Sequence, residues 1–212
     1  MCGIGGWIGS QDDGDTVADR MRQALHHRGP DGYGVRSFPS ATLIHTRLSI
    51  IDLSESGAQP MANEAGTIWT AFNGEIYNHR ELRSDLERKG HHFRGHSDSE
   101  VIPHLYEELG PGFVERLRGM FAIAIYDARA QTLLLARDRF GIKPLFYAMT
   151  KTRLAFASEL RALRCVKDID TRPNKQAIYD SAALFYVPAP ETFYQGICAL
   201  QAGEILEASL MP

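Results

Sequence analysis

Between residues 120 and 157 four short apolar runs follow one another: MFAIAIYD at 120–127, TLLLAR at 132–137, PLFYAM at 144–149 and RLAFA at 153–157. Each has the length and the β-branched or aromatic content of a strand. The connections between them are only a few residues long, enough for a hairpin and too short for the crossover that joins parallel strands. This meander commits the chain to antiparallel sheet. Further strands are predicted at 2–9 (CGIGGWIG), 33–38, 42–50 and 67–73, with a last piece near 204–207.

Helical spacing interrupts the strands. Val17, Met21, Ala24 and Leu25 recur on one face between Thr16 and His26, and Gly29-Pro30 closes that helix. A second helix is expected at 79–89, with Asn78 as cap, and a third at 98–109, where Ser97 and Glu100 form a capping-box pair. Gly90 and Gly110 stand where helices stop, and a further helix is predicted at 174–185. The polar stretch 54–66 reads as a loop, and Asn73-Gly74, taken alone, as a hairpin turn. Strand clusters with hairpin connections and a helix pair between them indicate an α+β domain with antiparallel sheets covered by helices.

With 212 residues, 44% of them hydrophobic and 23% charged, the chain can bury a substantial core in one domain. A net charge of −3 gives no general attraction to nucleic acid or acidic membranes, and neither is expected as a partner. No apolar run is long enough to span a bilayer, and the N-terminus lacks a signal-peptide pattern, so a cytoplasmic protein is expected. The three cysteines are widely spread without a C-x-x-C pair, which argues against disulfides and a structural zinc site. Cys165 and Cys198 lie among apolar neighbours and are expected to be buried and inert. Gly3, Gly5 and Gly6 are too closely spaced for a phosphate cradle.

Cys2 is different. It directly follows Met1, and a small second residue permits removal of that methionine, leaving a thiol and an α-amine on one residue. The amine's ordinary pKa is about 7.7–8.0 and the thiol's about 8.5, so the amine can take the thiol proton near neutral pH. A nucleophile at the N-terminus can thus carry its own base.

MCGIGG, RGPDGYG (28–34), HTRLSIID (45–52), FNGEIYNHREL (72–82), HSDSEV (96–101), FAIAIYD (121–127), ARDRFGIKPLFY (136–147) and FASELRAL (156–163) complete the pattern. In order and spacing the chain resembles the N-terminal glutaminase domain of glutamine-hydrolysing asparagine synthetases, which are class II glutamine amidotransferases of the N-terminal nucleophile hydrolase superfamily. The resemblance implies a four-layer αββα sandwich of two antiparallel sheets. It implies that residues 2–185 form the glutaminase domain, and that 186–212 resemble the segment leading to an ATP-dependent synthetase domain. Cys2 would attack the side-chain amide of glutamine, with the Asn73 amide and the Gly74 N–H as the oxyanion hole. Arg47 suits the α-carboxylate, because its planar fork matches a carboxylate. Asp98 and Glu75 suit the α-ammonium, and Leu48, Ser49, Ile50 and Ile51 would complete the pocket.

No cofactor is expected for the glutaminase step; ATP and Mg would belong to the synthetase domain or a partner chain, whose Ser-Gly-Gly-x-Asp-Ser loop this sequence lacks. A homodimer stays open as an assembly. No metal site is expected: His26-His27 and His91-His92 read as solvated pairs, without zinc-ligand spacing. A Cys–His mechanism through His45 or His104 is conceivable, but nothing nominates either over the amine. His96 stands where relatives carry a smaller residue and receives no catalytic role. Arg137, Asp138, Arg139 and Lys143 read as a charged hairpin connection, in a region that lies toward the domain interface of two-domain relatives. Two other readings share the same residues: a glutamine-binding module without turnover, and a hydrolase acting on another amide.

Overall fold

A computed structural model describes residues 1–10, 13–49 and 55–209. Strand β1 (Gly3–Gly9) leads to helix α1 (Gly14–Leu25), strands β2 (Gly32–Ser37), β3 (Ala41–Arg47), β4 (Met61–Ala62) and β5 (Ile68–Ile76), and helices α2 (His79–Arg88) and α3 (Val101–Leu109). Then come β6 (Gly119–Asp127), β7 (Thr132–Arg137), β8 (Phe146–Met149), β9 (Arg153–Ala157), α4 (Leu160–Leu163), α5 (Lys175–Leu184), β10 (Cys198–Ala199) and β11 (Ile205–Ser209). Among the described residues these strands form two antiparallel sheets, ordered β10-β8-β9-β1-β3-β2 and β11-β7-β6-β5-β4. No helix among them is long and apolar enough to cross a membrane.

Alternation along each strand builds the layers, because successive side chains point to opposite faces. On β6, Phe121, Ile123 and Ile125 pack with Leu82 and Leu86 of α2 and with Val101, Ile102 and Leu105 of α3. Between them, Ala122, Ala124 and Tyr126 face the other sheet and meet Ile4 and Ile8 of β1 and Leu43 of β3. The far side of the sheet that contains β1, β3 and β9, through Trp7, Ile44 and Ala155, receives Val17, Met21 and Leu25 of α1 and Leu163 of α4. Three apolar seams therefore separate four layers, the expected αββα sandwich. Ala71, Ala122 and Ala124 on the inner face let the two sheets approach closely.

Several local expectations change in context. Asn73-Gly74 is not a turn: β5 runs through both, with Asn73 opposite Ala122 and Gly74 opposite Phe121. A Cβ on Gly74 would lie 2.1 Å from the Met120 carbonyl oxygen, so close backbone approach requires the glycine. Asn78 does not cap α2; its amide donates to Arg116 O at 3.0 Å and accepts from Arg118 N at 2.9 Å. The segment predicted as one helix at 98–109 begins with a 3-10 turn at Asp98–Glu100. There Ser97 Oγ accepts from Ser99 N, while Glu100 reaches back past the cap to Arg94 N at 2.6 Å and Gly95 N at 3.0 Å. Cys165 and Cys198 are half-buried, not buried, and burial raises the pKa of both thiols. From the segment 186–212, β10 extends the first sheet beside β8 and β11 edges the second beside β7.

Candidate active site

The seam between the sheets opens at one end, and strand parity brings the chemistry there. Cys2 continues the inward alternation of Ile4 and Ile8; His45 and Arg47 continue that of Ala41 and Leu43; Asn73 follows Ala71. All four line a cleft of about 190 Å³ together with Leu48, Ser49, Gly74, Glu75 and Asp98. The sequence-predicted residues thus converge on one site. Ile50 and Ile51 lie outside the described residues.

Cys2 is held from two sides. Its carbonyl accepts from Arg28 Nε at 3.0 Å, and its Sγ lies 3.4 Å from Leu48 N and 3.7 Å from Leu48 O, accepting from the first and donating to the second. Arg28 is itself fixed by Glu159 at 3.0 Å, and that carboxylate also meets His27 and Arg161, each at 2.8 Å. Burial works to raise the Glu159 pKa, but Arg28, His27 and Arg161 outweigh it and keep the carboxyl below its ordinary range. The loop beyond β3 is tied down by Asp31, whose carboxylate accepts from Ser49 N at 2.9 Å.

The edge of β5 supplies the donors. Tyr77 N donates to Arg118 O, so alternate residues from Tyr77 back to Asn73 bond toward β6, and the residues between them point their N–H groups the other way. On that outer edge Phe72 N donates to Gln59 Oε1 at 2.7 Å and Ile76 N donates to Asp98 Oδ2 at 2.8 Å. Gly74 N–H shares their parity and lies between them, facing the cleft. Asn73 is 2% exposed, and its Nδ2 has no hydrogen-bond partner. A buried amide donor without an acceptor is costly, and here the cleft offers room for one.

Asp98 is buried, and burial raises its pKa; the Ile76 N–H and His79 oppose that rise while Glu75 adds to it. A cation in the cleft would complete the neutralisation of Glu75 and Asp98, and Arg47 supplies the opposite charge. The cleft can hold a zwitterion with a neutral polar end near Cys2.

His45 lines the cleft, yet neither ring nitrogen makes a hydrogen bond of ordinary geometry. Burial lowers its pKa from 6.5 to about 4, outweighing the Phe72 backbone, which favours protonation, and Arg47 adds to the fall. Such an imidazole is a poor base for a thiol. Between pH 6.5 and about 4 the unfolded chain binds a proton there that the folded chain refuses. Stability should therefore fall as pH falls through that window, by about 3 kcal/mol in all. Urea unfolding of wild type and His45→Asn at neutral pH and at pH ~4.5 checks this, the loss on acidification being about 2–3 kcal/mol smaller in the variant. Equal losses in both proteins would assign the acid sensitivity to other groups. His104 does not line the cleft, nor does exposed His96.

Gln59 and Lys143 also line the cleft and were not expected there. The charged connection is not a hairpin: it carries the chain from β7 in one sheet to β8 in the other, so the strands expected as one meander are split between the sheets. Arg137, Asp138 and Lys143 form a largely buried network within it. Asp138 is fully buried and accepts from the backbone N–H groups of Phe121, Phe140, Ile142 and Lys143 at 3.0–3.2 Å. Arg137 donates to the carbonyls of Lys143, Gly141 and Leu200 at 2.8, 2.7 and 2.5 Å. Together they deliver Lys143 to the cleft, where its Nζ lies 3.6 Å from Met1 Sδ. The sequence signal was the concentration of Arg137, Asp138, Arg139 and Lys143 around a glycine turn; for Gln59, inside a polar loop, no local signal exists.

Comparison with known proteins gives a consistent result. The profile of the family described as "Glutamine amidotransferase domain" matches residues 1–210. Asparagine synthetase [glutamine-hydrolyzing] 2 of Bacillus subtilis (strain 168) is 40% identical over 220 residues, covering 99% of this chain and 29% of that protein. Asparagine synthetase [glutamine-hydrolyzing] 3 of Arabidopsis thaliana is 45% identical over 167 residues, covering 77% of this chain and 28% of that protein. The chain therefore spans less than a third of the length of these two relatives. Among solved structures, glutamine phosphoribosylpyrophosphate amidotransferase from B. subtilis is similar with a TM-score of 0.66 at 19% identity, covering 98% of this chain and 49% of that one. At that identity the likeness establishes the fold alone, the sandwich of two antiparallel sheets between helices.

Proposed function

We propose, from the premise that the chain belongs to the glutamine amidotransferase domain family, that it hydrolyses the side-chain amide of glutamine through a γ-glutamyl thioester on Cys2. The observation that carries this reading is the convergence of the Cys2 thiol, the unpartnered Asn73 Nδ2 and the outward edge of Gly74 on one cleft. Once Met1 is removed, the α-amine of Cys2 takes the thiol proton and the thiolate attacks the amide carbon. Negative charge gathers on the amide oxygen, between Asn73 Nδ2 and Gly74 N–H. The ammonium then protonates the departing nitrogen, which leaves as ammonia. Water adds to the thioester with the amine again accepting a proton, the thiolate leaves and is reprotonated, and glutamate is released. Arg47 binds the α-carboxylate, while Asp98 and Glu75 bind the α-ammonium.

The ammonia would serve an ATP-dependent amidation, asparagine synthesis, in a domain or partner chain outside this sequence. Support comes from the names and greater length of the relatives. It also comes from the exposed Phe140, Phe185 and Tyr186, apolar surface that a further domain would cover. Incubation with a glutamine-analogue electrophile tests the site directly. The intact mass should show Met1 absent and one adduct, located on Cys2 by peptide mapping. An adduct on Cys165 or Cys198, or full retention of Met1 in a protein that still releases glutamate, would overturn the assignment.

A further inference from the structure

On the other side of the second sheet, away from the cleft, four side chains from three separate segments converge. Glu64 lies in the turn between β4 and β5, His91 follows α2, and His104 and Glu107 are one turn apart on α3. Each offers one ligand atom, and these four atoms all lie within 4.8 Å of one another. Glu64 is the hub: its oxygens lie 3.0 Å from His104 Nδ1 and 3.4 Å from His91 Nδ1.

Neither Glu64–imidazole contact has hydrogen-bond geometry; Glu64 Oε1 accepts instead from His92 N at 2.7 Å. His104 is 1% exposed, and its Nδ1 has no hydrogen-bond partner even though the Glu64 carboxylate is beside it. A nitrogen and an oxygen at that separation without donor geometry are placed as two ligands of one cation are placed. Around a tetrahedral ion with bonds of about 2.0–2.1 Å, neighbouring ligand atoms sit about 3.3 Å apart. The outer partners fit as well. His91 turns its other ring nitrogen to the Glu108 carboxylate at 3.3 Å, the arrangement that orients a metal-bound imidazole. Glu107 accepts from Asn63 Nδ2 at 2.9 Å, which fixes its carboxylate in turn.

We propose that Glu64, His91, His104 and Glu107 form a structural site for a divalent cation of the zinc class, clamping the β4–β5 turn and the α2–α3 connection onto α3. Two imidazoles with two carboxylates suit a small borderline cation better than calcium, which takes six or more oxygens. The His91-His92 pair is not the ligand pair; the partner of His91 is thirteen residues away, on the inward face of a helix.

The test uses the full chain in a Cys2→Ala background, which removes a thiol that could bind zinc elsewhere. After chelator treatment, Zn²⁺ is titrated against a chromophoric chelator, and bound metal is counted by mass spectrometry after desalting. One equivalent should bind with submicromolar affinity. The melting temperature should rise by at least about 5 °C with zinc well above the dissociation constant, and fall back with chelator. His91→Ala and Glu64→Ala, both near the surface, should keep the wild-type circular dichroism and lose the site. Glu108→Gln, one shell further out, should weaken binding about 10–100-fold. A first equivalent that binds only at millimolar zinc, or that persists unchanged in both alanine variants, would overturn the proposal.

Discussion

Cys2→Ala should abolish release of glutamate and ammonia from glutamine, a loss on the order of 10⁶-fold if chemistry is rate-limiting, as found when a nucleophile is deleted from a comparable covalent hydrolase. Alanine at position 2 still permits removal of Met1, so the α-amine remains and only the sulfur is missing. Little else depends on that sulfur, since its contacts with Leu48 at 3.4 and 3.7 Å are weak ones. The fold should be kept, and glutamine should still bind, because Arg47, Glu75 and Asp98 are untouched. Calorimetry on the variant should show glutamine binding without turnover. Equal hydrolysis rates in the two proteins would remove Cys2 from the mechanism. Lost binding along with lost turnover would instead give Cys2 a structural part in forming the pocket.

How far the molecule could be read in advance depended on the range of the forces involved. Val17, Met21 and Leu25 announce α1 because one helical face meets one sheet, and that periodicity is local. The strand at 119–127 is equally legible, since its two faces serve two seams with different side-chain sizes. Asn73-Gly74 misleads for the opposite reason. A turn signal at those two residues is overridden by continuous pairing with β6, a partner some fifty positions away. Asn78 and Glu100 likewise have side chains that suit a cap but find stronger partners in neighbouring segments. The two-residue β10 has too little sequence to carry any pattern.

The site divides along the same line. Cys2, Arg47, Asn73 and Asp98 are recoverable because each lies in a recognisable motif, although neither spacing nor composition would have gathered them. Parity then explains their meeting, since each continues the inward face of its own strand or the turn before α3. Gln59 and Lys143 reach the cleft through long-range contacts: a side chain capping the edge of β5, and a buried Asp138 carboxylate shaping a loop. The His91–His104 pairing is invisible for the same reason, because it depends on how a loop folds onto the buried face of α3.

Asn73→Ala separates the oxyanion hole from the pocket. In the ground state the amide oxygen of glutamine carries little charge, so a donor aimed at it should matter mainly once the tetrahedral intermediate forms. The expected result is a fall in kcat of about 10²–10³, or roughly 2.7–4 kcal/mol, with KM changed little. Stability should move differently. A buried amide whose Nδ2 has no partner is a liability in the folded chain, and removing an unsatisfied donor recovers roughly 1–3 kcal/mol of desolvation cost. That gain offsets the packing lost with the side chain, so the variant should unfold at or above the wild-type denaturant midpoint. An inactive variant that is also markedly destabilised would show that Asn73 is a structural residue. One that retains full kcat would assign the oxyanion to Gly74 N–H alone. Preserved stability with slow turnover is the signature of a donor held without a protein partner for the charge that develops on substrate.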